Sequence, residues 1–299
     1  MDTLFRTQIL VARVADSDAL ARENQGNLLL DRPSARELGR AATKILERGE
    51  YFTNNRQVSI ADAVRDSVAR TVSIPPDEPL SYTPAAEAAA TLTVSVANET
   101  SLSAAKRLTD AGARPLVLNF ANAIEPGGGF LSGSVAQEEY LARSSGLYAN
   151  IKDDPMYRFH RDMGAESFLA SEWAILSPDV PVFRSDIGWL LAEPWRCAML
   201  TCAAPVARQV GLERATAAMK VRIERVLAIA RAYGYRSLVL GAWGCGAFHN
   251  DPDAVARLFR NALTGEFLGA FDEAVFAVTD WSPDRRFLGP FRDTFAELG

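Results

Sequence analysis

The stretch PLVLNFANAIEPGGGF, residues 115–130, decides the fold class of this chain. Its first six residues are apolar apart from Asn119, which is typical of a short buried β-strand. Three consecutive glycines at 127–129 cost backbone entropy, so they mark a positive φ or a close approach of something to the backbone. Because ligands in open α/β sheets bind beyond the carboxyl ends of strands, we predict a ligand site at this loop.

Strand and helix patterns alternate on both sides of this stretch. The predicted strands cover residues 91–97, 115–120, 173–176, 197–202, 237–241 and 274–278. The predicted helices cover residues 101–111 (with Thr100 as N-cap), 134–148, 212–233 and 252–263. Near-continuous apolar strands need cover on both faces, so the pattern predicts an α/β fold. Its three layers are helices, a sheet and helices (α/β/α), and the sheet need not be purely parallel.

The N-terminal third of the chain has a different pattern. Residues 1–33 are polar and weakly patterned, and we expect a loosely held extension. Residues 34–80 contain helical apolar spacing and end in the breaker PPDEP at 75–79, which indicates a helical accessory region. Residues 81–299 are then predicted to form the main domain.

Composition narrows the class of function. The chain has 299 residues, a net charge of −5 and three cysteines without CxxC spacing. No run of basic residues appears, so ordinary binding of DNA or RNA is not expected. No transmembrane segment, secretory signal, disulfide framework or zinc site is predicted, and a cytoplasmic location is expected.

A second glycine-rich loop, GAWGCGAFHND at 241–251, also lies between a predicted strand and a predicted helix. Neither glycine loop ends in Gly-Lys-Ser/Thr or reads GxGxxG, so neither is a P-loop or a dinucleotide fingerprint. If the two loops follow neighbouring strands, they enclose a pyrophosphate. Phe248 then stacks on a base or ribose, or else packs in the core.

A Gln-Glu-Glu triplet follows the first loop, at Gln137, Glu138 and Glu139. Ser134 is the predicted helix cap, which puts the triplet in the first turn, where carboxylates are common because they favour the helix dipole. Adjacent helical residues point about 100° apart. The two glutamates are therefore expected to divide the work, one donating a proton and the other holding a hydroxyl.

Three glycines, seven intervening residues and Gln-Glu-Glu together resemble the signature of bacterial-type poly(ADP-ribose) glycohydrolases. The resemblance extends over roughly residues 34 to 280. Supporting segments are NET at 98–100, NFAN at 119–122, PVFR at 181–184, GAWGCGAF at 241–248 and NDP at 250–252. It implies a macrodomain fold with an N-terminal helical accessory region, and an ADP-ribose cleft that uses no metal and no cofactor.

The resemblance also implies the catalytic roles. Glu139 would be the catalytic acid and Glu138 would hold ribose hydroxyls beside the scissile bond. Asn122 would contact the ribose from the other side, and Gln137 would orient the pair or the substrate. A glutamate is suited to this step, because the leaving ribose hydroxyl needs a proton as an oxocarbenium-like state forms.

The remaining implied contacts surround the rest of ADP-ribose. Phe248 would stack near the adenosine, and Glu99 or Thr100 would read the adenine end. The residues implied to cradle the diphosphate, or to lie in the loop that does so, are Gly127, Gly128, Gly129, Gly244, Gly246, Ala247 and Asn250. The implied activity is that of a glycosidase that cuts poly(ADP-ribose), on ADP-ribosylated proteins, at chain ends, without sequence-specific nucleic-acid or membrane binding.

Three alternatives stay open. One is a macrodomain that only binds ADP-ribose or hydrolyses another ADP-ribosyl linkage, although pure binding needs no catalytic acid. Another is a hydrolase that uses Cys245 and His249, which lie four residues apart in the second loop. The third is a nucleotide-binding regulatory module.

Overall fold

The computed structural model describes residues 8–81 and 91–296. The strands are β1 Gln8–Ala15, β2 Glu50–Thr53, β3 Arg56–Ser59, β4 Val72–Ile74, β5 Thr91–Ala97, β6 Pro115–Ala121, β7 Ala174–Arg184, β8 Leu190–Ala203, β9 Ser237–Leu240 and β10 Glu273–Ala277. The helices are α1 Asp18–Leu28, α2 Arg32–Arg48, α3 Ala61–Ala69, α4 Ser101–Asp110, α5 Gln137–Ser144, α6 Leu147–Ile151, α7 Pro155–Asp162, α8 Ala207–Val210, α9 Leu212–Ala232, α10 Pro252–Thr264 and α11 Leu288–Ala296.

The first of two compact units comprises Met1–Asn24, Glu78–Leu116 and Pro205–Gly299. Its strands lie in the order β1-β5-β10-β9, and every described pair is parallel. Successive residues of β9 and β10 are buried although they point to opposite faces, so both faces are covered. On one face Phe276 packs against aromatic rings from α10 and α11.

The N-terminal segment is more ordered than the sequence indicated. β1 pairs with β5 in parallel, from Gln8 opposite Thr91 to Ala15 opposite Ala97. Helix α1 follows, and Arg285 forms ion pairs with Asp16 and Asp18 at 2.9 Å. The expectation of a loosely held extension is therefore wrong from residue 8 onward, because strand pairing supplies the order that apolar patterning did not reveal.

The second unit comprises Gln25–Asp77 and Val117–Ala204. Its strands lie in the order β6-β8-β7-β4, with antiparallel pairing of β8 to β7 and of β7 to β4. A separate antiparallel hairpin, β2–β3, joins α2 to α3. A core cluster connects α2, the hairpin and β7, with Ile45, Tyr51 and Phe183 among its members.

The predicted α/β fold with a mixed sheet is confirmed, since the described strands form both parallel and antiparallel pairs. Most predicted elements are present within a few residues, and Thr100 caps α4 by accepting from the Ser103 N–H at 2.9 Å. The predicted helix at 134–148 is instead two helices, α5 and α6. The division into 1–33, 34–80 and 81–299 stays a prediction.

No helix in the described part of the chain combines the length and apolar character needed to span a bilayer.

Candidate active site

Helix α5 is attached to strand β6 by Gln137. Its Oε1 accepts from the Phe120 N–H at 2.9 Å, and its Nε2 donates to the Leu118 carbonyl at 2.8 Å. The amide thus pairs with the strand as a neighbouring strand would. The start of α5, which carries Glu138 and Glu139, is therefore held in a fixed position beside the end of β6.

Glu138 is almost fully buried, with 3% of its surface exposed. Its Oε2 accepts from the Asn122 N–H at 2.6 Å, and its Oε1 lies 3.5 Å from Asn119 Nδ2. Burial raises the pKa of Glu138 well above its usual value, and the negative charge of Glu139 raises it further. Hydrogen bonds from Asn122, Asn119 and Gly127 act in the opposite direction. Glu138 therefore holds a proton more tightly than an ordinary carboxyl.

Glu139 is held at both of its carboxylate oxygens. Oε1 accepts from the Gly129 N–H and Oε2 accepts from the Ala136 N–H, each at 2.9 Å. The second contact is half of a capping box; the other half is missing because the N-cap residue, Ala136, has no side-chain acceptor. Glu138 and Glu139 thus have different partners, as the rotation between adjacent helical residues predicted.

The glycine run is packed directly against this carboxylate pair. Gly128 has φ +58°, and a Cβ at this position would lie 2.9 Å from Glu138 Oε2 and closer still to Glu139 Oε1. A Cβ at Gly129 would collide with Ser134 Oγ. Only residues without a side chain fit between the loop and the glutamates. The glycines therefore shape the carboxylate site, a role that the sequence did not predict.

Asn122 shapes the turn between β6 and the glycines. Its Oδ1 accepts from the N–H groups of Ile124 and Glu125, both at 2.9 Å. Among the residues that the structure describes, none accepts a hydrogen bond from its Nδ2. Asn122 is only partly buried, so this N–H₂ group is available to a ligand.

The second glycine loop lies in the first unit, after β9. Asn250 is buried and donates to the carbonyls of Pro205 and Gly244, at 2.8 and 3.1 Å, which fixes the shape of the loop. Gly246 and Ala247 are exposed, and Phe248 is half-buried. The loop thus presents its backbone, the Phe248 ring and the exposed His249 at its surface.

Comparison with known proteins identifies the family. Residues 40–185 match the model of the microbial-type PARG catalytic domain. The poly(ADP-ribose) glycohydrolase structure from Thermomonospora curvata is 43% identical, with 90% of this chain and 100% of that chain covered and a TM-score of 0.79. The chain belongs to the microbial poly(ADP-ribose) glycohydrolase family.

Two further structures of the family contain ligands. The T. curvata glycohydrolase bound to the inhibitor ADP-HPD is 44% identical over 88% of this chain and 99% of that chain, with a TM-score of 0.80. The glycohydrolase from Deinococcus radiodurans in complex with ADP-ribose is 36% identical over 79% of this chain and 97% of that chain, with a TM-score of 0.69. A search of curated proteins gave no match.

Membership of the glycohydrolase family agrees with the site that the second unit assembles. Gln137, Glu138, Glu139, Asn122 and the three glycines come together there through the hydrogen bonds described above. Ser134 is not the helix cap that was predicted: its carbonyl accepts from Arg143 Nη1 at 2.6 Å, and α5 begins after Ala136.

The other predicted residues of this glycohydrolase lie in the first unit. Glu99 forms an ion pair with Arg107 at 2.7 Å, and the Thr100 hydroxyl caps α4. The ligand contacts predicted for them, and for Gly244, Gly246, Ala247, Phe248 and Asn250, stay predictions. Among the described residues, no group of three or more His, Cys, Asp and Glu side chains is arranged to hold a metal ion.

The proposed Cys245–His249 chemistry of an unrelated hydrolase has no support in this loop. Cys245 is 4% exposed, and burial raises the pKa of its thiol, whereas a nucleophilic cysteine needs a lowered one. His249 is exposed and has φ +60°. Cys245 is therefore a core residue of the loop.

Two residues that the sequence did not predict, His160 and Arg161, support the Asn122 turn by binding its carbonyl groups. His160 on α7 is fully buried; its Nδ1 lies 3.0 Å from the Ala123 carbonyl and its Nε2 lies 2.7 Å from Ser171 Oγ. Arg161 donates to the Ile124 carbonyl at 2.7 Å. No motif in the sequence marks these residues, because the contact joins segments 37 residues apart.

Proposed function

We propose that this glycosidase hydrolyses the ribose–ribose O-glycosidic bonds of poly(ADP-ribose) from chain ends and releases ADP-ribose. The observation that carries the proposal is the buried pair Glu138 and Glu139, held against Gly128 where no side chain fits. Binding alone does not need two buried carboxyls, whereas glycoside cleavage needs a proton donor.

In the proposed reaction, Glu139 donates its proton to the leaving ribose oxygen as the glycosidic bond breaks. Water then attacks the oxocarbenium-like carbon, and Glu139 takes back a proton. Glu139 suits this role because its oxygens lie at the boundary of the glycine loop and the helix start, each fixed by a single N–H. A fixed position is what brings a proton donor into line with the bond.

Glu138 is proposed to bind ribose hydroxyls. Before substrate binds, burial favours the protonated form of Glu138. Ribose hydroxyls that donate to its carboxylate favour the charged form instead. Substrate binding thus places a charged Glu138 carboxylate beside the ribose.

Asn122 completes the ribose contact in this proposal, since its Nδ2 is available and its backbone N–H already holds Glu138. The ADP-ribosylated protein that carries the polymer is the proposed partner. Cleavage from chain ends is proposed because members of the bacterial type, which this chain resembles, lack segments that leave the cleft open on both sides.

Two substrates test the proposal. The protein is incubated with poly(ADP-ribose) and, separately, with mono-ADP-ribosylated protein, and released ADP-ribose is separated by chromatography. The proposal expects release from the polymer, with single ADP-ribose units rather than short oligomers as the first products. Release only from the mono-ADP-ribosylated protein would instead show that another ADP-ribosyl linkage is the substrate.

A further inference from the structure

Helix α2 carries a stripe of cations on its solvent face. Its five positively charged residues repeat at every fourth position and all are exposed: Arg32, Arg36, Arg40, Lys44 and Arg48. The opposite face, with Ala35, Gly39 and Ala42, is buried. At 1.5 Å per residue the basic stripe is about 24 Å long, and it winds by about 40° per step around the helix. The chain as a whole carries a net charge of −5, so this positive surface is a local exception.

The basic stripe starts beside the catalytic loop, residues 127–133, which contains the Gly129 N–H that binds Glu139. Gly39 of α2 lies so close to the Phe130 carbonyl that a Cβ would collide with it, and a Cβ at Gly133 would collide with the Arg32 carbonyl. Gly133 lies four residues after Gly129, whose N–H donates to Glu139 Oε1. The N-terminal end of the stripe therefore borders the loop that positions the acid, within one compact unit.

Helix stability does not explain these cations. Like charges four residues apart repel, and Arg32 stands in the first turn, where the helix dipole disfavours a cation. Glu37 and Glu47 lie on the same helix, but no ion pair joins the five cations to any residue in the described part of the chain. Their charges are therefore available to an anionic ligand.

We propose that the basic stripe of α2 binds the phosphates of the poly(ADP-ribose) chain beyond the bond being cleaved. The proposal rests on the proposed function, which supplies a substrate with two phosphates in each unit. A polymer that leaves the catalytic loop next to Gly133 meets Arg32 first and continues along the stripe. A sequence search for consecutive basic residues does not find such a surface, because the helix brings together cations that are four residues apart.

Neutralising the middle of the stripe tests this inference. The triple variant Arg36→Gln, Arg40→Gln and Lys44→Gln retains helix propensity, since Gln, Arg and Lys are comparable helix formers. Initial rates of ADP-ribose release are measured with size-fractionated long chains and with the ADP-ribose dimer. The same long chains, end-labelled, are titrated by fluorescence anisotropy with the protein carrying Glu139→Gln, and ADP-ribose binding is measured by calorimetry.

The expected change is confined to long chains. Counterion release from a single-stranded polyanion changes log affinity by about 0.7 per contact for each log unit of salt, so three lost contacts lower the salt slope by about 2. Between 50 and 200 mM salt this changes the ratio of variant to wild-type KM by roughly 20-fold, and the ratio is largest at low salt. The KM for the dimer, the ADP-ribose affinity and the melting temperature stay unchanged.

A matched control removes the same charge elsewhere in the same unit. Its three substitutions replace exposed cations that already lie within 4 Å of aspartates: Arg65→Gln, Lys152→Gln and Arg158→Gln. The inference expects this control to keep the wild-type salt slope. A variant with Arg36→Lys and Arg40→Lys keeps the charge and is expected to behave as wild type.

Equal salt slopes and equal long-chain KM values in the stripe variant and its control would overturn the inference. So would a stripe variant that loses affinity for single-stranded DNA but not for poly(ADP-ribose). Failure of the proposed function gives a different result, because no variant would then release ADP-ribose while the anisotropy titration would still report on the stripe.

Discussion

Replacing Gly128 by alanine tests how tightly the catalytic carboxyls are packed. The residue has φ +58°, and its Cβ would lie within 3.0 Å of carboxylate oxygens of both Glu138 and Glu139. An L-residue in the left-handed region costs about 1–2 kcal/mol. Displacing Glu139 from the Gly129 N–H loses a charged hydrogen bond, which contributes about 1.5–3 kcal/mol. We therefore expect the free energy of unfolding to fall by about 2.5–5 kcal/mol.

Activity is expected to fall more than this loss of stability alone requires. Moving a catalytic group by about 1 Å can lower the rate about 100-fold. The assay is kcat for ADP-ribose release at a temperature where the variant remains folded, with urea denaturation to measure stability. We expect kcat of Gly128→Ala to fall at least about 100-fold.

Gly164→Ala is the matched control. Gly164 has φ +60°, and nothing lies within 4 Å of the position that a Cβ would occupy. It should therefore lose only the backbone contribution of about 1–2 kcal/mol and keep the wild-type kcat. If the two variants lose stability equally and both keep full activity, the argument that the glycine run is shaped by the carboxylates is refuted.

Three further predictions concern groups around the site. His160→Asn keeps an N–H in the position of Nδ1, which faces the Ala123 carbonyl, and should retain kcat. His160→Gln keeps only the contact to Ser171 and should lose about 10-fold or more in kcat. Equal kcat values for the two variants would indicate that His160 has a packing role alone. Glu138→Gln should become more stable relative to wild type as pH rises from 5 to 8. The reason is that the raised pKa of Glu138 stabilises the wild-type fold below the unfolded pKa of about 4.5, and this contribution is lost as pH rises through the folded pKa. Urea melts should show a change in the stability difference of at most about 1.4 kcal/mol per pH unit. A stability difference that stays constant with pH would disprove it. Phe248→Ala should raise KM for polymer while the melting temperature changes little, because the ring is half-buried; a much lower melting temperature with unchanged KM would assign it to the core.

The sequence predicted most of the fold because the strands have a strong local pattern. β5 is rich in β-branched residues, β6 is a short apolar run that ends before the three glycines, and α9 has a long helical repeat. β1 pairs with β5, more than 75 residues away, and this pairing was missed although β1 contains the apolar run ILVA at 9–12. The β2–β3 hairpin was missed although its turn, Asn54 and Asn55, both at positive φ, is a local signal of a hairpin.

The site was predicted in part because its two motifs are local in sequence. The glycine run and the Gln-Glu-Glu triplet are close in sequence, and helix rotation alone separates the two glutamates. The sequence did not show that the glycine N–H groups face these glutamates, or that Ser134 is bound by Arg143 and does not cap the helix. His160 was missed because nothing in its own helix indicates a contact with Ala123.

The central claim is that Glu139 supplies the proton for cleavage of the glycosidic bond. The most direct measurement compares ADP-ribose release from poly(ADP-ribose) by wild type and by Glu139→Gln, with ADP-ribose affinity measured on the same preparations. The account predicts that the rate of release falls by about 100- to 10,000-fold while ADP-ribose binding is retained, because general acid catalysis contributes about that much. Release near the wild-type rate by a variant that binds ADP-ribose normally would contradict it.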